Sequence, residues 1–117
     1  MKLESLRKFC KTLPGATVDI KWGADECHCV AGKMFAVFGL AKGKPANVGF
    51  KCEPSRFLEL TDISGIIPAP YLARAHWVNV EQAKALSDAQ ARELVAHSHA
   101  LVLARLTTRE RDAITSK

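Results

Sequence analysis

The sequence predicts an α+β domain in which an N-terminal and a C-terminal helix pack together on one face of an antiparallel sheet. Three observations predict it. Apolar residues recur at helical spacing at Leu3, Leu6, Cys10 and Leu13. Between Ala16 and Phe50 they give way to β-branched and aromatic runs broken by glycine. A longer helical stripe then follows Ser87.

The first helix places Arg7, Lys8 and Lys11 on its wet side, and Pro14-Gly15 is expected to end it. The runs TVDIKW, CHCVA, KMFAVFGL and NVGFK, punctuated by Gly23, Gly32 and KGKP, predict a meander of antiparallel strands. EPSRFLELTD, with Pro54 at its start and Phe57, Leu58 and Leu60 as its apolar contribution, predicts a short helix. ISGIIPAP reads as a loop, and AHWVNVE as one further strand. In that strand Trp77 is expected to pack between helices and sheet, with His76 facing the other way. Ser87 is the expected N-cap of the long helix, Asp88 sits by the positive end of its dipole, and the helix is expected to run to about Thr107.

Length and composition bound what any motif can mean. A chain of 117 residues, 48% apolar and 25% charged, predicts a single domain over residues 1–117 with enough core to fold unaided. Four cysteines without the even spacing of a disulfide framework predict reduced thiols. The opening MKLESLRKFCKTL has no uninterrupted apolar core, and no stretch approaches the roughly 20 apolar residues of a membrane span, so no membrane association and a cytoplasmic location are expected.

DECHCVAG, from Asp25 to Gly32, crowds ligand-type residues together. On a strand, however, Cys27 and Cys29 point to one face and His28 to the other, and the second ligand pair of a structural zinc site is missing. No metal and no cofactor are expected. HSH in the last helix fares similarly. With Leu94, Val95, Ser98, Leu101, Val102 and Leu106 as the core stripe, His97 and His99 flank it about 160° apart in projection and are expected at the helix surface or its boundary. No nucleophile elbow, phosphate loop or convergent carboxylate pair occurs, so a non-enzymatic protein is expected.

The formal charge is +5, with ten Lys/Arg against six Asp/Glu in residues 1–60 and seven against six thereafter. A basic first half is compatible with a polyanionic partner and equally with a plainly soluble surface.

Several segments resemble the MmcQ/YjbR family in their order along nearly the whole chain: Lys33-Met34-Phe35-Ala36, Lys51-Cys52-Glu53-Pro54, His76-Trp77, and Ser98 with Leu101 and Val102. The resemblance implies a CyaY-like fold, related in architecture to frataxin, and DNA binding through two winged loops. His99 stands where the family more often has tyrosine. Frataxin-like iron binding is disfavoured by charge, because the first helix carries Glu4 as its single acid against Lys2, Arg7, Lys8 and Lys11. On the DNA reading, Lys33 in one hairpin and Lys42 and Lys44 in another contact phosphates, with Lys21 or Lys51 extending the track. The alternative is a non-enzymatic module that holds a protein or small ligand on a sheet face carrying Trp22 or Trp77. The oligomeric state and the roles of His76, His97 and His99 are left open.

Overall fold

The computed structural model describes residues 1–21 and 23–115. Helix α1 (Leu3–Cys10) leads into four consecutive strands, β1 (Ala16–Lys21), β2 (Asp25–Val30), β3 (Lys33–Ala41) and β4 (Lys44–Lys51). Helix α2 (Pro54–Thr61), β5 (Ile66–Pro68), β6 (Trp77–Val80), α3 (Asp88–Ala104) and α4 (Thr108–Thr115) complete the order, with single 3-10 turns at Ala73–Ala75 and Ala83–Ala85. The strands form one sheet in the order β1-β2-β3-β4-β6-β5, antiparallel throughout. The α+β architecture is therefore the expected one.

The hairpins follow from local chemistry. Ala31-Gly32 and Lys42-Gly43 both hold positive φ at their two central residues, 51° and 77° in the first pair and 54° and 77° in the second. That is the two-residue turn whose twist matches paired strands, and glycine supplies it without steric cost.

Period-two geometry then divides the sheet into two faces. The rows Ala36, Phe50, Val78 and Phe38, Val48, Val80 are cross-strand neighbours and point to the helices. There they meet Leu6 and Cys10 of α1, Leu60 of α2, and Leu94, Val95 and Val102 of α3 in one buried core. Ser87 caps α3 as expected, accepting from the Gln90 amide while the Gln90 side chain accepts from the Ser87 amide.

Ser98 joins α3 to the sheet. Its hydroxyl donates to the Phe35 carbonyl at 2.7 Å and accepts from the Lys51 amide at 3.0 Å. Phe35 lies where the β2–β3 register slips, between His28 paired with Ala36 and Cys29 paired with Met34. A bulge of this kind leaves backbone groups unpaired by the ladder, and the serine supplies a partner.

Several expectations are corrected. Helix α1 ends at Cys10, and Lys11–Pro14 form turns instead of a last helical turn. ISGIIPAP contains strand β5, a three-residue edge strand ending in proline, where a missing N–H is tolerated. Helix α3 stops at Ala104, and Thr107 with Glu110 caps a further short helix, α4. His99 is buried at 5% exposure. Its Nε2 lies 2.7 Å from the Pro14 carbonyl and its ring edge meets Phe35 at 5.1 Å between centroids. Trp77 is buried on the face away from the helices, leaving Val78 and Val80 to fill the core. His76 precedes β6 in a left-handed conformation, φ 62°, with its ring against Phe57.

A candidate ligand cleft on the open sheet face

Among the described residues no α-helix covers the second face of the sheet, and that face holds a cleft of about 640 Å³. Its floor is the row Val37, Gly49, Asn79 and the neighbouring row Asp25, Gly39, Asn47. Two glycines on adjacent strands remove the side chains from the middle of this floor. Within a strand glycine weakens the sheet, so its presence marks a place where something approaches the backbone closely. At Gly39 the occupant is internal: a β-carbon there would lie 2.7 Å from Asn47 Oδ1. At Gly49 it would lie 3.8 Å from both Trp77 Cε3 and Asn79 Oδ1 and 3.4 Å from the Val78 carbonyl, ordinary contact distances that leave the space above it open.

The wall is Trp77 and the segment Ala69–Leu72. That segment is fixed by the backbone of the tryptophan, since Ala69 N–H donates to Trp77 O at 3.0 Å and Trp77 N–H donates to Leu72 O at 3.2 Å. Tyr71 sits at the mouth, fully exposed, with φ 67°. A left-handed tyrosine is an uncommon conformation that the surroundings must enforce. The polar side chains of the lining are Asp25, Asn47, Asn79 and Tyr71, and among the described residues no lysine, arginine or histidine lines it.

The candidate phosphate contacts are split between the two ends of the sheet. Lys33 begins β3, whereas Lys42, in the turn after its far end, and Lys44, just past that turn, lie about 27 Å away for a nine-residue strand. Lys21, paired across from Asp25, which itself pairs with Gly39, lies toward the Lys42 end. Lys51 lies toward the Lys33 end. It is tethered, with Nζ 2.6 Å from the Ala75 carbonyl, and burial followed by nearby Arg105 lowers its pKa. Of the two tryptophans, Trp77 lines the cleft, and Trp22 lies outside the described residues.

Strand β2 separates DECHC as period two requires. His28 points into the helix side, 2.9 Å from Glu26, while Cys27 and Cys29 lie on the opposite face outside the core. The three do not converge. Burial pushes every thiol upward, Cys10 to about 12 and Cys27, Cys29 and Cys52 in the same direction, so all four are thiols at neutral pH. His97 stands 3.2 Å from Glu53 Oε1 at the half-exposed junction of α2 and α3.

The cleft was missed in the sequence because Gly39 and Gly49 fall inside strand runs. Their signal was present: glycine within an apolar alternation can mark close approach to the backbone as well as a turn. Among the described residues no helix is long and apolar enough to cross a membrane.

Residues 11–101 match the family model YjbR. Among solved structures, the chain is similar to Deinococcus radiodurans protein DR2400, of family-model domain DUF419, at a TM-score of 0.84 and 24% identity over 97% of this chain and 88% of that one. It is also similar to a protein from Pseudomonas syringae, at a TM-score of 0.69 and 18% identity over 86% of this chain and 98% of the other. No curated protein matches it.

Proposed function

The chain belongs to the YjbR family, and we propose that it acts as a non-enzymatic ligand-interaction module whose site is the open sheet face. The observation that carries this reading is the glycine-floored cleft beneath Trp77 and Tyr71, mostly apolar with a few polar groups at its edges, which is the usual make-up of a small-molecule site. Buried, protonated thiols and a lining that, among the described residues, holds no convergent acid–base pair favour binding over catalysis. Four free, buried cysteines accord with a reducing compartment, and we place the protein in the cytoplasm. We also read two main helices on one face of an antiparallel sheet as a CyaY-like layout, which superposition on a frataxin would test.

An NMR screen of small flat fragments tests the site. Binders are expected to move the amide signals of Gly39 and Gly49 and the indole signal of Trp77 while leaving Val95 and Val102 unmoved. If no fragment moves them at millimolar concentration, the reading fails.

The exposed Lys42-Gly43 hairpin supports DNA as a second reading, with Lys42, Lys44 and nearby Lys21 as the phosphate contacts. On this reading each lysine removed reduces the salt slope of duplex binding by about one unit. Lys42→Ala/Lys44→Ala is then expected to weaken binding to all sequences alike, and Lys84→Ala, in the turn before α3, to leave it unchanged. Equal weakening by both would reduce the effect to net charge.

A further inference from the structure

Resting on the cleft reading, we propose that the ligand is a flat nitrogen heterocycle carrying an amino or ring N–H donor, neutral or cationic, with an unphosphorylated nucleobase such as adenine as its reference chemistry. Shape gives the first half. Gly49 exposes bare peptide, bounded at van der Waals distance by the edge of the Trp77 ring and by the Asn79 carboxamide oxygen. A flat ring can lie on such a floor in contact with bare peptide.

Polarity gives the second half. Asp25, Asn47 and Asn79 reach the cleft, and among the described residues none of the three side chains is engaged in a hydrogen bond or ion pair. Together they offer one carboxylate acceptor and two carboxamides, each with an acceptor and a donor end. Asp25 and Asn47 stand on either side of Gly39, and an edge bearing an amino group beside a ring nitrogen suits those two, while Asn79, three strands from Asp25, is left to the far side of the ring. An anionic ligand would find no cation to pair with among the described lining residues, since Lys21 stands across from Asp25 but outside the lining. Tyr71, held at the mouth with its ring in solvent, is placed to cover a bound ring.

Calorimetric titration of the full chain against four flat probes tests this: adenine, 2-aminobenzimidazole, naphthalene-2-carboxylate and benzothiophene. The first two are expected to saturate the protein, and the carboxylate and the donor-free ring to bind at least tenfold more weakly. Asp25→Asn is expected to weaken the amino probes at least tenfold and to leave benzothiophene unchanged. Gly49→Val should abolish binding of all four. Gly49→Ala, whose β-carbon meets only ordinary contacts, is a milder variant in case valine disturbs the strand. Benzothiophene binding as well as adenine, or Asp25→Asn binding adenine like the wild type, overturns the heterocycle assignment and leaves the cleft a general apolar site. If none of the four binds but other fragments move the Gly49 and Trp77 signals, the assignment alone fails. If nothing moves them, the cleft reading fails with it.

Discussion

Arg7→Met is expected to destabilise the protein by about 3–5 kcal/mol, because it strands a buried carboxylate. Glu26 is 3% exposed. Arg7 grips it with two parallel bonds, Nε to Oε2 and Nη2 to Oε1, both 2.7 Å, tying α1 to the helix-facing side of β2. His28, fully buried, adds Nε2 at 2.9 Å to the same Oε2. Against an ionised carboxylate that nitrogen carries the proton and donates, which leaves Nδ1 as a buried acceptor without a partner. Removing the charge as well, in Arg7→Met/Glu26→Gln, should recover much of the loss. Urea denaturation of the two variants at pH 7 checks this, and equal stability of Arg7→Met and wild type would sink it.

The same triad sets the acid limb of stability. The Arg7 hydrogen bonds, reinforced by His28 and opposed by burial, hold the Glu26 carboxyl down at about 2 from an ordinary 4.5. A depressed folded-state value stabilises the protein above pH 4.5, and that contribution, about 3 kcal/mol, is lost as pH falls from 4.5 to 2. Burial lowers the His28 pKa from 6.5 despite the opposing pull of Glu26. The folded state therefore favours the neutral ring, and this second loss begins as pH falls below 6.5. Stability measured from pH 7 to 2 is expected to decline in two stages. Without Arg7 the carboxyl loses its main stabiliser, and the lower stage should shrink or vanish.

The faces of β2 were legible because period two needs only residue order, which separates Cys27 and Cys29 from His28 wherever the strand sits. The face of β6 was not. Alternation shows that Trp77 and Val78 point oppositely but not which of them meets the helices, and size suggested the tryptophan. In the fold, Val78 and Val80 complete rows begun by Phe50 and Val48, and Trp77 is buried by the Ala69–Leu72 segment instead. His99 shows a different limit. The buried stripe of α3 runs through Ala91, Leu94, Val95, Ser98, His99 and Val102, whereas apolar weighting rotated it toward Leu101, which is only half-buried. A histidine enters a core when a distant carbonyl satisfies it, and Pro14, 85 positions away in sequence, is not visible from the helix. Strand β5 is held by pairing with β6 at Ile66–Val80 and Pro68–Val78, tertiary contacts that three residues cannot announce.

Ser98→Ala is expected to cost about 2–4 kcal/mol although it removes one oxygen atom. The hydroxyl is fully buried and serves two backbone groups at once, the Phe35 carbonyl at the β3 bulge and the Lys51 amide at the end of β4. Alanine leaves both without that partner, and each buried group so stranded costs about 1–3 kcal/mol. The site lies directly behind the cleft wall, because Lys51 pairs with Trp77. Amide exchange separates this account from a packing defect. Loss of the hydroxyl should speed exchange at Lys51 more than global destabilisation predicts, whereas Val95→Ala, a cavity three residues away on the same buried stripe, should raise all core amides in proportion to the loss of stability. If Lys51 exchanges no faster in Ser98→Ala than in a Val95→Ala variant of matched stability, the serine is a space-filler and the bulge is held by the ladder alone.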